Sequence, residues 1–145
     1  MEQKGVIIPQ EIVEASNSKK RNHRTLRQMS IYRDAIELKY NIVNLYDLVP
    51  RKLTKFIDSI LLTVSEAKKC IGLSHSVYDP SQRVEYLNMV RIFVEDVQDD
   101  IHILFRKGLI GKPVEDKIKK VARGIVAQAI ALRDYNNGQG NYSLL

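Results

Sequence analysis

The residues best suited to chemistry lie in one acidic run, Glu95, Asp96, Asp99 and Asp100, followed by His102. On a helix, Glu95 and Asp99 stand one turn apart, as do Asp96 and Asp100. Asp99 and His102 have the i, i+3 spacing of the carboxylate–histidine half-motif found in di-metal helical bundles. Such a centre needs two half-motifs and a Glu from each of two other helices. The second half-motif is missing, and the adjoining Val94, Val97 and Ile101 are aliphatic. The run is therefore expected to hold no metal and to face bases on neighbouring helices or subunits. His23, His75 and His102 fall in three segments without ligand spacing. Cys70 has no base near it in sequence to make a thiolate, so it reads as a packed thiol. There is no Gly-rich phosphate loop, nucleophile elbow or helix-turn-helix signature. The expectation is a non-catalytic chain, with no catalytic residue, cofactor or small-molecule substrate.

Positive charge is the stronger signal. The 145 residues carry 23 Lys and Arg against 17 Asp and Glu, a net +6. That balance favours polyanionic partners, nucleic acid first. The bases cluster. Lys19, Lys20, Arg21, Arg24 and Arg27 run without an acid between them. Arg51, Lys52 and Lys55 open a second cluster, with Lys68 and Lys69 further along the same predicted helix. Lys112, Lys117, Lys119, Lys120 and Arg123 make the third. Several phosphate contacts together give salt-sensitive affinity without reading bases. Helices two and four would be diagonal in a simple bundle, so the second and third clusters need not form one patch in a monomer.

Heptad seams must position these charges. Apolar residues recur at alternating steps of three and four in four runs. They are Ile31, Ala35, Leu38, Ile42, Leu45, Val49; Leu53, Ile57, Ile60, Val64, Ala67, Ile71; Leu87, Val90, Val94, Val97, Ile101, Leu104; and Val114, Ile118, Val121, Ile125, Gln128, Leu132. The fourth has a polar break at Gln128. Short connections join the runs, which predicts an all-α, antiparallel up-down-up-down four-helix bundle with a basic N-terminal extension. A bundle with filled seams leaves little room for a catalytic pocket. Residues 1–25 read as a flexible basic extension, 26–135 as the bundle and 136–145 as a frayed C-terminal tail. Helix one is placed from Leu26 to Val49 and stopped by Pro50. Helix two follows from Arg51 to Leu73, with Gly72 near its cap. Asp79-Pro80 starts helix three, which ends at Gly108. Pro113 opens helix four, which ends near Tyr135.

At this length about 68–70% of the unfolded surface can be buried, so a self-sufficient core is expected. The lone Cys70 cannot form an internal disulfide, which suits a reducing compartment. No apolar run approaches the ~18 residues needed to span a bilayer. A cytoplasmic protein without membrane contact is expected. Tyr32, Ile36, Val43 and Tyr46 form an apolar stripe beside the first seam, with Phe56, Leu61, Tyr86, Met89, Ile92 and Phe93 on later helices. The stripe reads either as a wide face buried within one bundle or as a self-association surface centred on Tyr32, Ile36, Tyr46, Phe56, Tyr86 and Phe93.

Several segments carry a family resemblance. Leu48-Val49-Pro50-Arg51-Lys52 opens helix two, and Arg83 and Tyr86 sit early in helix three. Lys107-Gly108-Leu109-Ile110 closes that helix, and Leu132-Arg133-Asp134 ends an Ala-rich helix four. Over residues 28–135 the chain resembles the four-helix-bundle proteins encoded in intervening sequences of large-subunit ribosomal RNA genes. It also resembles the related accessory variability determinant (Avd) of diversity-generating retroelements. The resemblance implies a homopentameric barrel of bundles with a basic surface. In the retroelement branch it implies binding of the reverse transcriptase and template RNA, in support of mutagenic cDNA synthesis; the basic clusters themselves suit DNA as well as RNA. Arg51, Lys52 and Lys55 match the family's basic opening of helix two and are expected to touch nucleic acid first. The N-terminal extension and the acidic run lie outside the family pattern. The alternatives are an intervening-sequence bundle protein of unknown role and a protein–protein adaptor whose basic charge is incidental.

Overall fold

The computed structural model describes the backbone of residues 25–144 and the side chains of residues 25–138. Among these residues the chain is all-helical, with no strand. Four α-helices span Ser30–Asn44 (α1), Thr54–Ser76 (α2), Pro80–Arg106 (α3) and Lys112–Leu144 (α4). Three short 3-10 turns, Leu26–Gln28, Leu45–Asp47 and Arg51–Leu53, flank α1 and lead into α2. Each α-helix packs on the next in sequence, and α1 also packs on α4.

The first three seams form the core largely as their spacing predicts. Ile31, Ala35, Leu38, Ile42 and Leu45 are buried on α1 and its following turn. Ile57, Ile60, Val64, Ala67 and Ile71 are buried on α2, and Leu87, Val90, Val94, Val97, Ile101 and Leu104 on α3. Val49 and Leu53, at the seam ends, are half-buried. Full burial of an Ile or Leu side chain contributes about 1.5–3 kcal/mol, so these stripes dominate cohesion.

The fourth seam is rotated from its expected place. The buried positions on α4 are Glu115, Ile118, Ala122, Ile125, Ala129 and Asn136. Val114, Val121 and Leu132 are partly buried around them. Both registers share Ile118 and Ile125. The small Ala122 and Ala129 let α4 approach its neighbours closely, which the bulkier Val121 and Gln128 would not. Gln128 lies to the side, where its Nε2 donates to Asp34 Oδ2 at 2.7 Å and to the Gly124 carbonyl at 3.1 Å.

Boundaries follow local chemistry. Gln28 Oε1 accepts the Thr25 N–H at 3.1 Å, and Met29 is extended, so the α-helix starts at Ser30 rather than Leu26. The α1 helix closes into a 3-10 turn at Leu45, and Pro50 is extended at φ −62° and ψ 150° before the next turn. Gly72 is not a cap. It lies inside α2, where an added Cβ would sit 3.6 Å from Leu26 Cδ2. Asp79 caps α3 as expected: Oδ1 accepts the Ser81 N–H at 3.2 Å, and Oδ2 accepts its hydroxyl at 2.9 Å. Gly108 ends α3 at φ +75°. Its N–H donates to Phe105 O, and Leu109 N–H donates to Leu104 O, both at 2.9 Å. This Schellman pair satisfies carbonyls that the helix end leaves open.

Helix α4 does not end at Tyr135. Arg133 meets Asn88 at 3.3 Å, so about two more turns are needed to reach the level of Pro80 at the head of α3. Asn136 is buried and its Nδ2 donates to Leu132 O at 2.7 Å, which holds the Asn-Asn-Gly stretch in helix.

Candidate nucleic-acid interface

The corner between α1 and α2 presents the densest cations with free heads. Pro50 turns the chain, and the 3-10 turn after it places Arg51 and Lys52 at the head of α2, with Lys55 in the first helical turn. All three are exposed. None has an ion-pair partner among the described residues. The nearest acid on α2, Asp58, is occupied by a short hydrogen bond from the Tyr46 hydroxyl. That bond, then burial and the nearby Asp58 charge, pushes the Tyr46 phenol above its ordinary value. Tyr46 thereby braces the corner from the 3-10 turn that follows α1.

The third cluster divides. Lys117, Lys120 and Arg123 are exposed along α4, without ion-pair partners among the described residues. Lys119 does not belong with them: it is turned inward, 19% exposed, with its Nζ 3.0 Å from Glu115 Oε2. Lys112 is paired with Glu115 and Asp116, each at 3.2 Å, and its Nζ lies 5.2 Å from the centre of the Phe105 ring. Lys68 stands over Tyr32 at 5.6 Å, and Lys69 and Arg27 are exposed. Lys19, Lys20, Arg21 and Arg24 lie outside the described residues.

Glu115 is the charged site that sequence reasoning missed. Its side chain is 0% exposed and accepts from Lys112, Lys119 and His102, the last at 2.9 Å from His102 Nδ1. The short contact to a carboxylate assigns the proton to Nδ1, so the 3.4 Å approach of Lys119 Nζ to the same nitrogen is not a hydrogen bond. Burial alone would raise the carboxyl, but the hydrogen bonds from His102, Lys119 and Lys112 outweigh it and hold it at about 2. The cluster pins the start of α4 to the end of α3. A signal was present, because Glu115, Ile118, Ala122, Ile125, Ala129, Leu132 and Asn136 alternate steps of three and four without a break.

The chemistry-bearing residues of α3 come apart. His102 turns to Glu115 rather than pairing with Asp99. Within the acidic run Glu95 pairs with Arg91 on the same helix at 3.1 Å. Asp96, Asp99 and Asp100 have no ion pair among the described residues, so none of them is bonded to a base on another described helix. Burial, then the charges of Asp96 and Asp99, pushes the Asp100 carboxyl up. Among the described residues no group of three or more His, Cys, Asp or Glu is placed to hold a metal ion. Cys70 is buried and unpaired, and burial raises its thiol.

No family model matches the chain, and no curated protein matches it. No described helix is long and apolar enough to cross a membrane.

The apolar stripe is mostly half-buried. Tyr32, Tyr46, Phe56, Tyr86 and Phe93 pack partly against the core of their own chain, and Ile36 is half-buried. The more exposed apolar surface lies elsewhere, at Tyr40, Leu62, Tyr78, Ile92 and Tyr135 among others. Of the exposed large apolar residues, the stripe had included Val43, Met89 and Ile92.

Proposed function

We propose that this chain is a non-catalytic, RNA-binding accessory protein that works as a homo-oligomer. The observation that carries the reading is the exposed trio Arg51, Lys52 and Lys55, with no described acid neutralising it. Phosphate contact needs cations whose heads are free, and several together give binding without base readout. An up-down-up-down topology supports the reading further. Tyr46 meets Asp58 while Lys68 meets Tyr32, and His102 meets Glu115 while Arg133 meets Asn88. These pairings run antiparallel. With α2 and α3 antiparallel as well, the starts of α2 and α4 fall at one end, and Lys117 and Lys120 then lie at the end that carries the corner.

The identity of the partners rests on the resemblance to Avd and the intervening-sequence bundles. On that basis the RNA is the template of a diversity-generating retroelement and the protein partner its reverse transcriptase, in a pentameric assembly within the cytoplasm. The single buried thiol suits that reducing compartment. A reverse transcriptase gene beside this one, with a near-repeat pair of DNA segments, separates this reading from an intervening-sequence protein of unknown role.

The test is binding to a structured RNA across a salt series, with Arg51→Glu, Lys52→Glu and Lys55→Glu as the control. The expected result is affinity that falls steeply with salt and is lost in the control. Wild-type protein that binds no RNA at low salt overturns the reading and leaves a protein–protein module.

A further inference from the structure

The far end of the fold, where α2 passes to α3, holds a different set of groups. Tyr78 in the loop is 65% exposed and Tyr135 on α4 is 54% exposed. Tyrosines this open contribute little to the core of their own chain. Arg83 lies with them. It is half-buried on α3, and its Nε donates to the carbonyl of Val77, the residue before Tyr78, at 2.7 Å. The Asn88–Arg133 contact sets the register of α3 against α4. From that contact Arg83 lies about 7.5 Å back along α3 and Tyr135 about 3 Å on along α4, so both fall toward the same end, within about 5 Å of each other along the axis.

The anchoring leaves the Arg83 head available. Its two Nη groups have no hydrogen-bond partner among the described residues, and neither is a buried orphan. Burial lowers the guanidinium from its ordinary value, while the phenols of Tyr78 and Tyr135 act to raise it. A guanidinium remains charged at neutral pH and presents a planar fork to phosphate oxygens. Two local acids are already occupied: Asp79 caps α3, and Asp134 pairs with Arg133 at 3.1 Å. The end therefore offers a positioned cation beside Tyr78 and on the same end as Tyr135, both exposed. That combination suits unpaired nucleotides, whose bases stack on aromatic rings while the backbone meets a cation. A duplex keeps its bases inside the stack and gains nothing from such rings.

We propose that Tyr78, Arg83 and Tyr135 form a stacking site for unpaired nucleotides of a bound polynucleotide. This rests on the RNA-binding reading and adds to it a second contact, at the opposite end from the Arg51 corner, selective for single strands.

The probe is a fluorescein-labelled, unstructured RNA of about ten nucleotides, a length within the usual span of such sites. DNA of the same sequence and the RNA duplex are run beside it. Binding is followed by anisotropy across a salt series for wild type, Tyr78→Ala, Tyr135→Ala and the two Phe variants. Both rings are exposed, so the variants are expected to fold, which far-UV circular dichroism checks. Each Ala variant should lose about 5- to 100-fold in single-strand affinity, with the salt slope and duplex binding unchanged and Phe retaining binding. The same loss on DNA alone would also support the site and name the strand it takes. Ala variants that bind single strands as wild type does overturn this proposal and leave the basic corner standing. A loss shared equally by the duplex also overturns it. Wild type that binds none of the three probes overturns both readings together.

Discussion

Replacing Glu115 by Gln tests whether a buried charge pins the α3–α4 end of the fold. The carboxyl is held at about 2 against an ordinary 4.5. At about 1.4 kcal/mol per unit, that difference corresponds to about 3 kcal/mol of folding free energy. Lys112 and His102 reach the carboxylate from the solvent side, so screening reduces the net contribution to about 1–2 kcal/mol. Gln keeps the volume and one acceptor oxygen, so the substitution removes charge without opening a cavity. The folded carboxyl is the stronger acid, so its contribution is complete above about pH 4.5 and is lost as the pH falls toward 2. Urea unfolding of both proteins, followed by far-UV circular dichroism, should show Glu115→Gln less stable by about 1–2 kcal/mol at neutral pH. The gap should close on acidification. Taking the difference between the two proteins cancels the protonation of every carboxyl they share. A gap that persists unchanged at about pH 2.5, or no gap at neutral pH, refutes the argument.

Two glycines give opposite expectations. Gly72→Ala should raise stability by about 0.5–1 kcal/mol, because the residue is helical and the new methyl meets Leu26 at ordinary contact distance; a loss in thermal unfolding would mean that it works as a cap after all. Gly108→Ala should lower stability by about 1–2 kcal/mol through backbone strain alone, since φ is +75° and nothing lies within 4 Å of the added Cβ; unchanged unfolding would refute it.

The sequence was most legible where side-chain volume and polarity agree. On α1, α2 and α3 the heptad apolar residues are the buried ones, and Asp79-Pro80 and Gly108 mark the α3 ends as their chemistry requires. On α4 two registers share Ile118, Ile125 and Leu132, and hydropathy favoured the one containing Val114 and Val121. Packing chose the one containing Ala122 and Ala129, because close approach of helices outweighs the extra methyl groups of valine. The same choice buries Glu115 and Asn136, polar residues that a search for apolar periodicity passes over. Tyr78 and Tyr135 were not singled out because an exposed aromatic next to a turn has no periodic signature. Lys119 looked like one more cation in a basic run; only the side-chain geometry shows that it serves Glu115.

The acidic flank of α3 limits where a polyanion can lie. Asp96, Asp99 and Asp100 have no ion pair among the described residues, and the raised Asp100 carboxyl reflects burial together with that crowding. A phosphate backbone is repelled there and drawn to the ends, where Arg51 and Lys52 stand at one and Arg83 at the other. Asp96 lies about 20 Å along α3 from Arg83, at 1.5 Å per residue. The screening length at physiological salt is only about 8 Å, so the acids do not oppose binding at the Arg83 end under those conditions. At low salt the field reaches further and the repulsion partly offsets the attraction of the corner. The net charge of +6 therefore overstates how strongly the α3 face attracts RNA. Carboxylates without an ion pair among the described residues, on a net basic chain, favour contact with a basic surface of a second copy, which fits the oligomeric reading proposed above.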